Sequence, residues 1–232
     1  MRISEIYASL QGEGLLAGTP STFVRTSGCN LRCIWCDTPF TSWRPEGREM
    51  TAAVVLAVVE QLAPRHVVVT GGEPLLSAEV ATFCGDLRTR GLHVTVETAG
   101  TVLPADPTGL FDLVSISPKL ASSTPPADTP GGWASRHEAA RRRDDIVVRL
   151  AAAAPHQVKF VVETPADLEE ALGWLDALGP GIDRSRVFLM PQARTPEEVA
   201  SRTSWLADEC RRLGLRLAPR HHLTWFEGRR GT

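Results

Sequence analysis

From residue 22 to residue 217, short β-branched apolar runs alternate with longer segments of helical periodicity, and this rhythm constrains the chain more than any other feature. The apolar runs predict strands over residues 22–26, 67–70 (VVVT), 92–97 (LHVTVE), 113–116, 158–162 (VKFVV) and 187–190 (VFLM), with a short final strand over 215–217. Between them lie helical patterns. One covers 51–62 and stops near Pro64. A second covers 77–90, with Ser77 as N-cap and Gly91 just past its end. Two more cover 166–178 and 196–213, the last capped by Thr195. Runs apolar enough to be buried on both faces and joined by crossover helices pair in parallel. Six βα units are expected. A full eight-fold barrel takes ~250 residues, and 232 residues with fewer units predict an incomplete, TIM-like α/β barrel with a parallel sheet. One domain spans residues 1–232.

Three stretches break the rhythm. Residues 100–109 carry too much Pro and Gly for a helix. Residues 121–132 (ASSTPPADTPGG) read as a loop, and 133–150 as a helix whose basic run Arg141–Arg143 forms a solvated face. Together, residues 120–150 form an insertion. Residues 219–232 form a C-terminal tail, flexible beyond Glu227.

The charge balance narrows the function. A formal net charge of −2 does not suit a nucleic-acid binder, so a small-molecule substrate is expected. No apolar run approaches the ~20 residues that span a bilayer. The opening MRISEIYASLQGEG has no apolar core of a secretory leader, so the expected compartment is the cytoplasm. An odd count of five cysteines, three of them between positions 29 and 36, argues against a disulfide framework and for a metal site. Cys84 and Cys210 lie alone in helical patterns and read as plain buried residues.

The cluster is Cys29-Asn-Leu-Arg-Cys33-Ile-Trp-Cys36, just after the first predicted strand of that alternation. Three thiolates on one loop suit three corners of a [4Fe–4S] cubane, whereas ordinary cubanes take four cysteines. The fourth iron is then free for a chelating molecule. A structural zinc site wants four ligands, and neither a second CxxC nor a nearby His supplies the rest.

The CxxxCxxC spacing, with Trp35 before the third cysteine, resembles the radical S-adenosylmethionine (SAM) superfamily. So does Thr70-Gly71-Gly72-Glu73-Pro74 after the second strand of the alternation. Five further segments narrow the resemblance: Ser9-Leu-Gln-Gly-Glu-Gly14, Phe23-Val-Arg-Thr-Ser-Gly28, Cys36-Asp-Thr38, Glu97-Thr-Ala-Gly-Thr101 and Ser115-Ile-Ser-Pro-Lys119. Over residues 3–192 the chain resembles the 7-carboxy-7-deazaguanine synthase family. That resemblance implies a carbon–nitrogen lyase of deazapurine and queuosine biosynthesis. It would contract the ring of 6-carboxy-5,6,7,8-tetrahydropterin with loss of ammonia, after a SAM-derived radical takes a hydrogen from C6. The implied cofactors are a [4Fe–4S] cluster on Cys29, Cys33 and Cys36, SAM, and Mg²⁺ at Thr38. The implied SAM-side residues are Trp35, Asp37, Gly72, Glu73, Glu97, Ser117, Lys119 and Gln192. The implied substrate-side residues are Leu10, Gln11, Gly12, Glu13, Arg25 and Thr70. His221, His222 and Trp225 match loosely the His/Trp-bearing end of the family. A homodimer and an electron donor such as flavodoxin or ferredoxin are implied as partners, with no nucleic acid and no membrane. A radical SAM activase acting on a protein, or a non-catalytic metal-binding module, are the alternatives.

Overall fold

The computed structural model describes residues 1–63 and 65–232. Residue 64, where the first helical pattern was expected to stop, lies outside the described residues. The strands are β1 (Arg2–Leu10), β2 (Pro20–Thr26), β3 (Arg48–Glu49), β4 (His66–Gly71), β5 (His93–Thr98), β6 (Leu113–Ile116), β7 (His156–Val162), β8 (Val187–Pro191) and β9 (Arg216–Leu217). The helices are α1 (Pro39–Ser42), α2 (Ala52–Leu62), α3 (Ala78–Thr89), α4 (Trp133–Arg141), α5 (Asp144–Ala153), α6 (Pro165–Leu178), α7 (Pro196–Leu213) and α8 (His221–Phe226).

Among the described residues the strands form one sheet in the order β3-β1-β2-β4-β5-β6-β7-β8-β9. From β2 to β9 every pairing is parallel, as the alternation predicted. The sheet does not close; β3 and β9 are its edges. All seven strands of the alternation are present. Two strands went unseen: β1, which pairs antiparallel with β2, and β3, which pairs antiparallel with β1. The half-polar sequence of β1 (RISEIYASL) explains the miss, because its interior face serves a polar site and not an apolar core.

The central strands β4 to β8 are buried on both faces, and the two faces differ. Along β7, Val158, Phe160 and Val162 point to the helices and join the main core, while Gln157, Lys159 and Val161 point to the other side. Period-2 alternation fixes this division. On the helix side, Trp174 of α6 is 1% exposed and packs its ring against Phe160 at 6.0 Å. Its indole N–H donates to Asp144 at 2.7 Å, so its one polar atom is satisfied. Helix ends follow local chemistry. Thr164 and Asp167 form a reciprocal capping box on α6, and Thr195 caps α7. Ser77 stands at the N-cap of α3 but makes no side-chain cap bond.

Three expectations need correction. The single helix over 133–150 is two, α4 and α5, broken at Arg142–Arg143, where Asp144 and Asp145 open a new acidic first turn. The run Arg141–Arg143 is not uniformly solvated. Arg141 is buried, pairing with Glu138 at 2.7 Å and Glu170 at 2.8 Å, while Arg142 and Arg143 are exposed. The segment after Glu227 packs against the body: Arg230 lies 3.8 Å from the Phe40 ring centroid and pairs with Glu5 and Glu46. Cys84 and Cys210 are buried, as expected. Replacing Trp174 with Ala removes the largest fully buried side chain and the partner of Asp144, and should cost about 3–5 kcal/mol in urea unfolding.

Candidate active site

The inner face of the sheet lines a cavity of about 550 Å³. Strand register sets much of its polar floor. Arg25 on β2 pairs with Thr70 on β4, Glu97 on β5 with Ser115 on β6, and Ser115 with Gln157 on β7, so one row of polar side chains crosses the sheet. Lys159 extends the row one inward position along β7. The loop after β1 covers this floor. The Gln11 side-chain amide donates to Glu97 at 3.1 Å, its oxygen accepts from the Glu13 backbone N–H at 3.1 Å, and Thr70 donates to Glu97 at 2.8 Å.

At the centre lies a charge network that the motifs did not reveal. Lys159, 3% exposed, donates to Glu13 at 2.8 Å and stands 3.9 Å from Glu97. Arg220 reaches Asp37 at 2.8 Å and lies 3.5 Å from Glu13, while His222 is 3.7 Å from Glu13. Burial alone would raise the Glu13 carboxyl, but Lys159, Arg220 and His222 outweigh it and hold Glu13 well below the usual carboxylate range. Asp37, although half exposed, is likewise held low by the Arg220 guanidinium beside it. Arg25 is fixed at two points, with Nε on Glu5 at 3.2 Å and Nη2 on the Tyr7 hydroxyl at 2.7 Å. The rest of its guanidinium has no acceptor among the described residues and faces the cavity.

The opposite wall is the cysteine loop. Cys29, Cys33 and Cys36 are free thiols that line the same cavity. Burial pushes Cys29 and Cys33 up to about 12, so as free thiols they stay protonated near neutral pH, and a metal centre's positive charge would be needed to hold them as thiolates. The loop is braced by the Trp43 indole N–H on the Cys33 carbonyl at 2.9 Å and by the Leu31 N–H on Cys29 sulfur at 3.3 Å. Gly72 lets the loop close in, since a Cβ there would stand 2.1 Å from the Gly28 carbonyl oxygen and 2.9 Å from Cys29 Cβ. Ser117 and Lys119 face the cavity together, with the ammonium on the Ser117 hydroxyl and carbonyl, each at 2.8 Å. Trp35, Asp37, Thr38, Leu10 and Gly12 also line the cavity, and Thr38 Oγ1 lies 3.9 Å from Cys36 sulfur.

Two expected contacts lie off the cavity wall. Glu73 is 1% exposed, and its carboxylate is consumed by Thr98 and by the backbone N–H groups of Ala99 and Leu75. It thus ties the glycine turn to β5, and a ligand contact would have to come from the backbone. The side chain of Gln192 is held by Arg202. Among the cavity residues that were missed, Glu5, Tyr7, Lys159 and Arg220 carry the charge network. Lys159 carried a signal, as the one charge in an apolar strand; Glu5 and Tyr7 lay on the unseen β1, and Arg220 carried none.

A family model described as the Radical SAM superfamily matches residues 23–123. The chain is 43% identical to the 7-carboxy-7-deazaguanine synthase of Rhodopirellula baltica, over 99% of this chain and 88% of that protein. It is 44% identical to the synthase of Halobacterium salinarum, over 95% and 88%. The chain belongs to the 7-carboxy-7-deazaguanine synthase family. The crystal structure of QueE from Escherichia coli superposes with a TM-score of 0.69 and 25% identity, covering 94% of this chain and 92% of that one. Membership of this radical SAM family implies a [4Fe–4S] cluster and SAM, and three free thiols beside a glycine turn fit both.

The Lys159–Glu13 pair makes a stability prediction. Lys159→Met leaves a buried carboxylate with weaker partners. It should cost roughly 3 kcal/mol in urea unfolding near neutral pH, the low end for a broken buried pair because Arg220 remains. In the parent, the contribution from the depressed Glu13 pKa is complete above the ordinary carboxylate pKa and is lost progressively as the pH falls from there toward the depressed value. In the variant Glu13 protonates at a higher pH, so the difference between the two proteins should narrow on acidification.

Proposed function

We propose that this chain converts 6-carboxy-5,6,7,8-tetrahydropterin to 7-carboxy-7-deazaguanine with loss of ammonia. The observation that carries the reading is a single cavity with three free thiols on one wall and, on the other, a guanidinium, an amide and two carboxylates held in fixed orientations. When bound, the cluster and SAM supply the hydrogen-abstracting radical. The chain's own residues select and orient the pterin. Arg25, pinned by Glu5 and Tyr7, presents its free N–H groups to the substrate carboxylate. Glu13, kept ionised by Lys159, accepts from the pterin's 2-amino and ring N–H donors, with Gln11 and Glu97 beside it. Ser117 and Lys119 face SAM from the ends of β6 and its loop.

Within the same proposal, Mg²⁺ would be held by the Thr38 hydroxyl, which lines the cavity 3.9 Å from Cys36 sulfur, and would supply an oxygen-seeking cation for the substrate carboxylate. The expected reductant is a flavodoxin or ferredoxin and the expected assembly a homodimer, both by family habit. Among the described residues no helix is long and apolar enough to cross a membrane.

The decisive assay is anaerobic turnover of the reconstituted protein with SAM, reductant, Mg²⁺ and the carboxypterin, read by mass spectrometry. Deazaguanine product in excess of SAM consumed supports the proposal; 5′-deoxyadenosine without deazapurine refutes the substrate. Arg25→Ala should raise KM for the pterin about 10–100-fold, the worth of a charged hydrogen bond, while sparing substrate-free SAM cleavage. Thr38→Ala should leave iron content intact and flatten the response to added Mg²⁺. An unchanged Mg²⁺ titration would remove Thr38 from the metal site.

A further inference from the structure

The insertion between β6 and α5 has no place in the reading above, yet it holds the cysteine loop on both sides of Cys33. The backbone N–H of Arg32, just before Cys33, donates to His137 Nδ1 at 3.1 Å. The backbone N–H of Ile34, just after it, donates to the Ser123 carbonyl at 2.9 Å. His137 and Ser123 are themselves joined, Nε2 to Oγ at 2.9 Å, and both are 0% exposed. The Ser123 hydroxyl donates to the Leu120 carbonyl at 2.6 Å. The donors run one way: Arg32 N–H to His137 Nδ1, His137 Nε2–H to Ser123 Oγ, Ser123 O–H to Leu120. That order requires a neutral imidazole with its proton on Nε2, and burial, helped by Arg141, pushes His137 down to about 4. On the outer side, the Arg32 guanidinium stacks 3.8 Å over the Trp133 ring, one helical turn before His137.

We propose that His137 is a positioning residue for the iron–sulfur cluster, and that the insertion, through His137 and Ser123, clamps the two peptides flanking Cys33. The proposal rests on the cluster reading of the three cysteines. Its physical content is twofold. The clamp fixes where the Cys33 sulfur sits, which a cubane on only three protein ligands needs more than one on four. It also draws two backbone N–H groups away from the cluster, and hydrogen bonds to cluster sulfurs are a main control on reduction potential. Fewer such bonds favour a more negative potential.

The test compares the full-length protein with His137→Ala, His137→Asn and Ser123→Ala, each reconstituted with iron and sulfide. Readouts are iron and sulfide per chain, the rate of cluster loss to a chelator, and the reduction potential by spectroelectrochemistry. His137→Ala should lose its cluster about 10-fold faster or more, the scale of outer-sphere substitutions around metal ligands, and shift to a less negative potential. Asn places an amide oxygen where Nδ1 stood, so His137→Asn should restore both readouts most of the way. Ser123→Ala removes only the ring's anchor and should fall between. Cluster loss and potential equal to the parent in His137→Ala would overturn the proposal, as would an Asn variant no better than Ala while circular dichroism shows both folded. Should His137→Ala fail to fold, Ser123→Ala decides alone: parent-like cluster loss and potential there refute the clamp. A parent chain that binds iron without sulfide would instead refute the cluster reading itself, a separate result.

Discussion

The ion pair between Glu13 and Lys159 stitches an open sheet into a working enclosure. The parallel sheet exposes its inner face, and no closing strand covers it. Glu13 belongs to the loop after β1 near one edge; Lys159 belongs to β7 toward the other. Their contact at 2.8 Å, with the Leu15 N–H on Gln157 at 2.7 Å, carries the loop across the interior. Arg220, just after β9, makes a second stitch to Asp37 of the cysteine loop segment. Removing water from Glu13, Lys159 and Arg220 is costly unless each has a partner, and here each does, while Asp37 stays half in solvent. The same pairing that makes the enclosure affordable to bury also leaves carboxylates ionised at the place where a heterocycle rich in N–H donors would lie.

The enclosure is cationic in a chain that is not. Seven Arg or Lys side chains line the cavity against four Asp or Glu, although the whole chain carries a formal net charge of −2. The carboxylate of a carboxypterin, together with cysteine thiolates, would meet part of that excess. The sorting is geometric. Period-2 alternation sends Lys159 inward while Phe160 and Val162 go to core or opposite faces, and the single register across β2, β4, β5, β6 and β7 keeps the polar row level.

Much of this was legible because the relevant signals are local. The parallel strands announced themselves as apolar runs, and the cysteine spacing and glycine turn are short motifs whose residues touch in the fold. What was missed depends on long-range placement. β1 alternates polar and apolar in a way that resembles a loop until the site it serves is known. Arg220 sits 183 residues from its partner Asp37, and nothing local marks it. Glu73 was assigned to a ligand from its motif, but its buried carboxylate satisfies Ala99 and Leu75 N–H groups instead. The helix over 133–150 was expected as one, and its pattern did not show that Arg141 turns inward to Glu138 and Glu170 or that a second helix starts at Asp144.

Arg141 also bears on why an insertion belongs here at all. Its guanidinium donates to the Lys119 carbonyl at 3.1 Å as well as to Glu170 on α6. Helix α4 therefore touches both the peptide flank of Cys33, through His137, and the segment bearing Lys119, through Arg141. Two regions of the cavity wall are thus referenced to one short element, itself tied to α6; in the proposed reading, one would hold the cluster and the other SAM. A loop left to solvent could not set that distance. A helix anchored by a fully satisfied buried imidazole and a doubly paired arginine can, because moving the His137 end means breaking bonds with no water at hand to replace them.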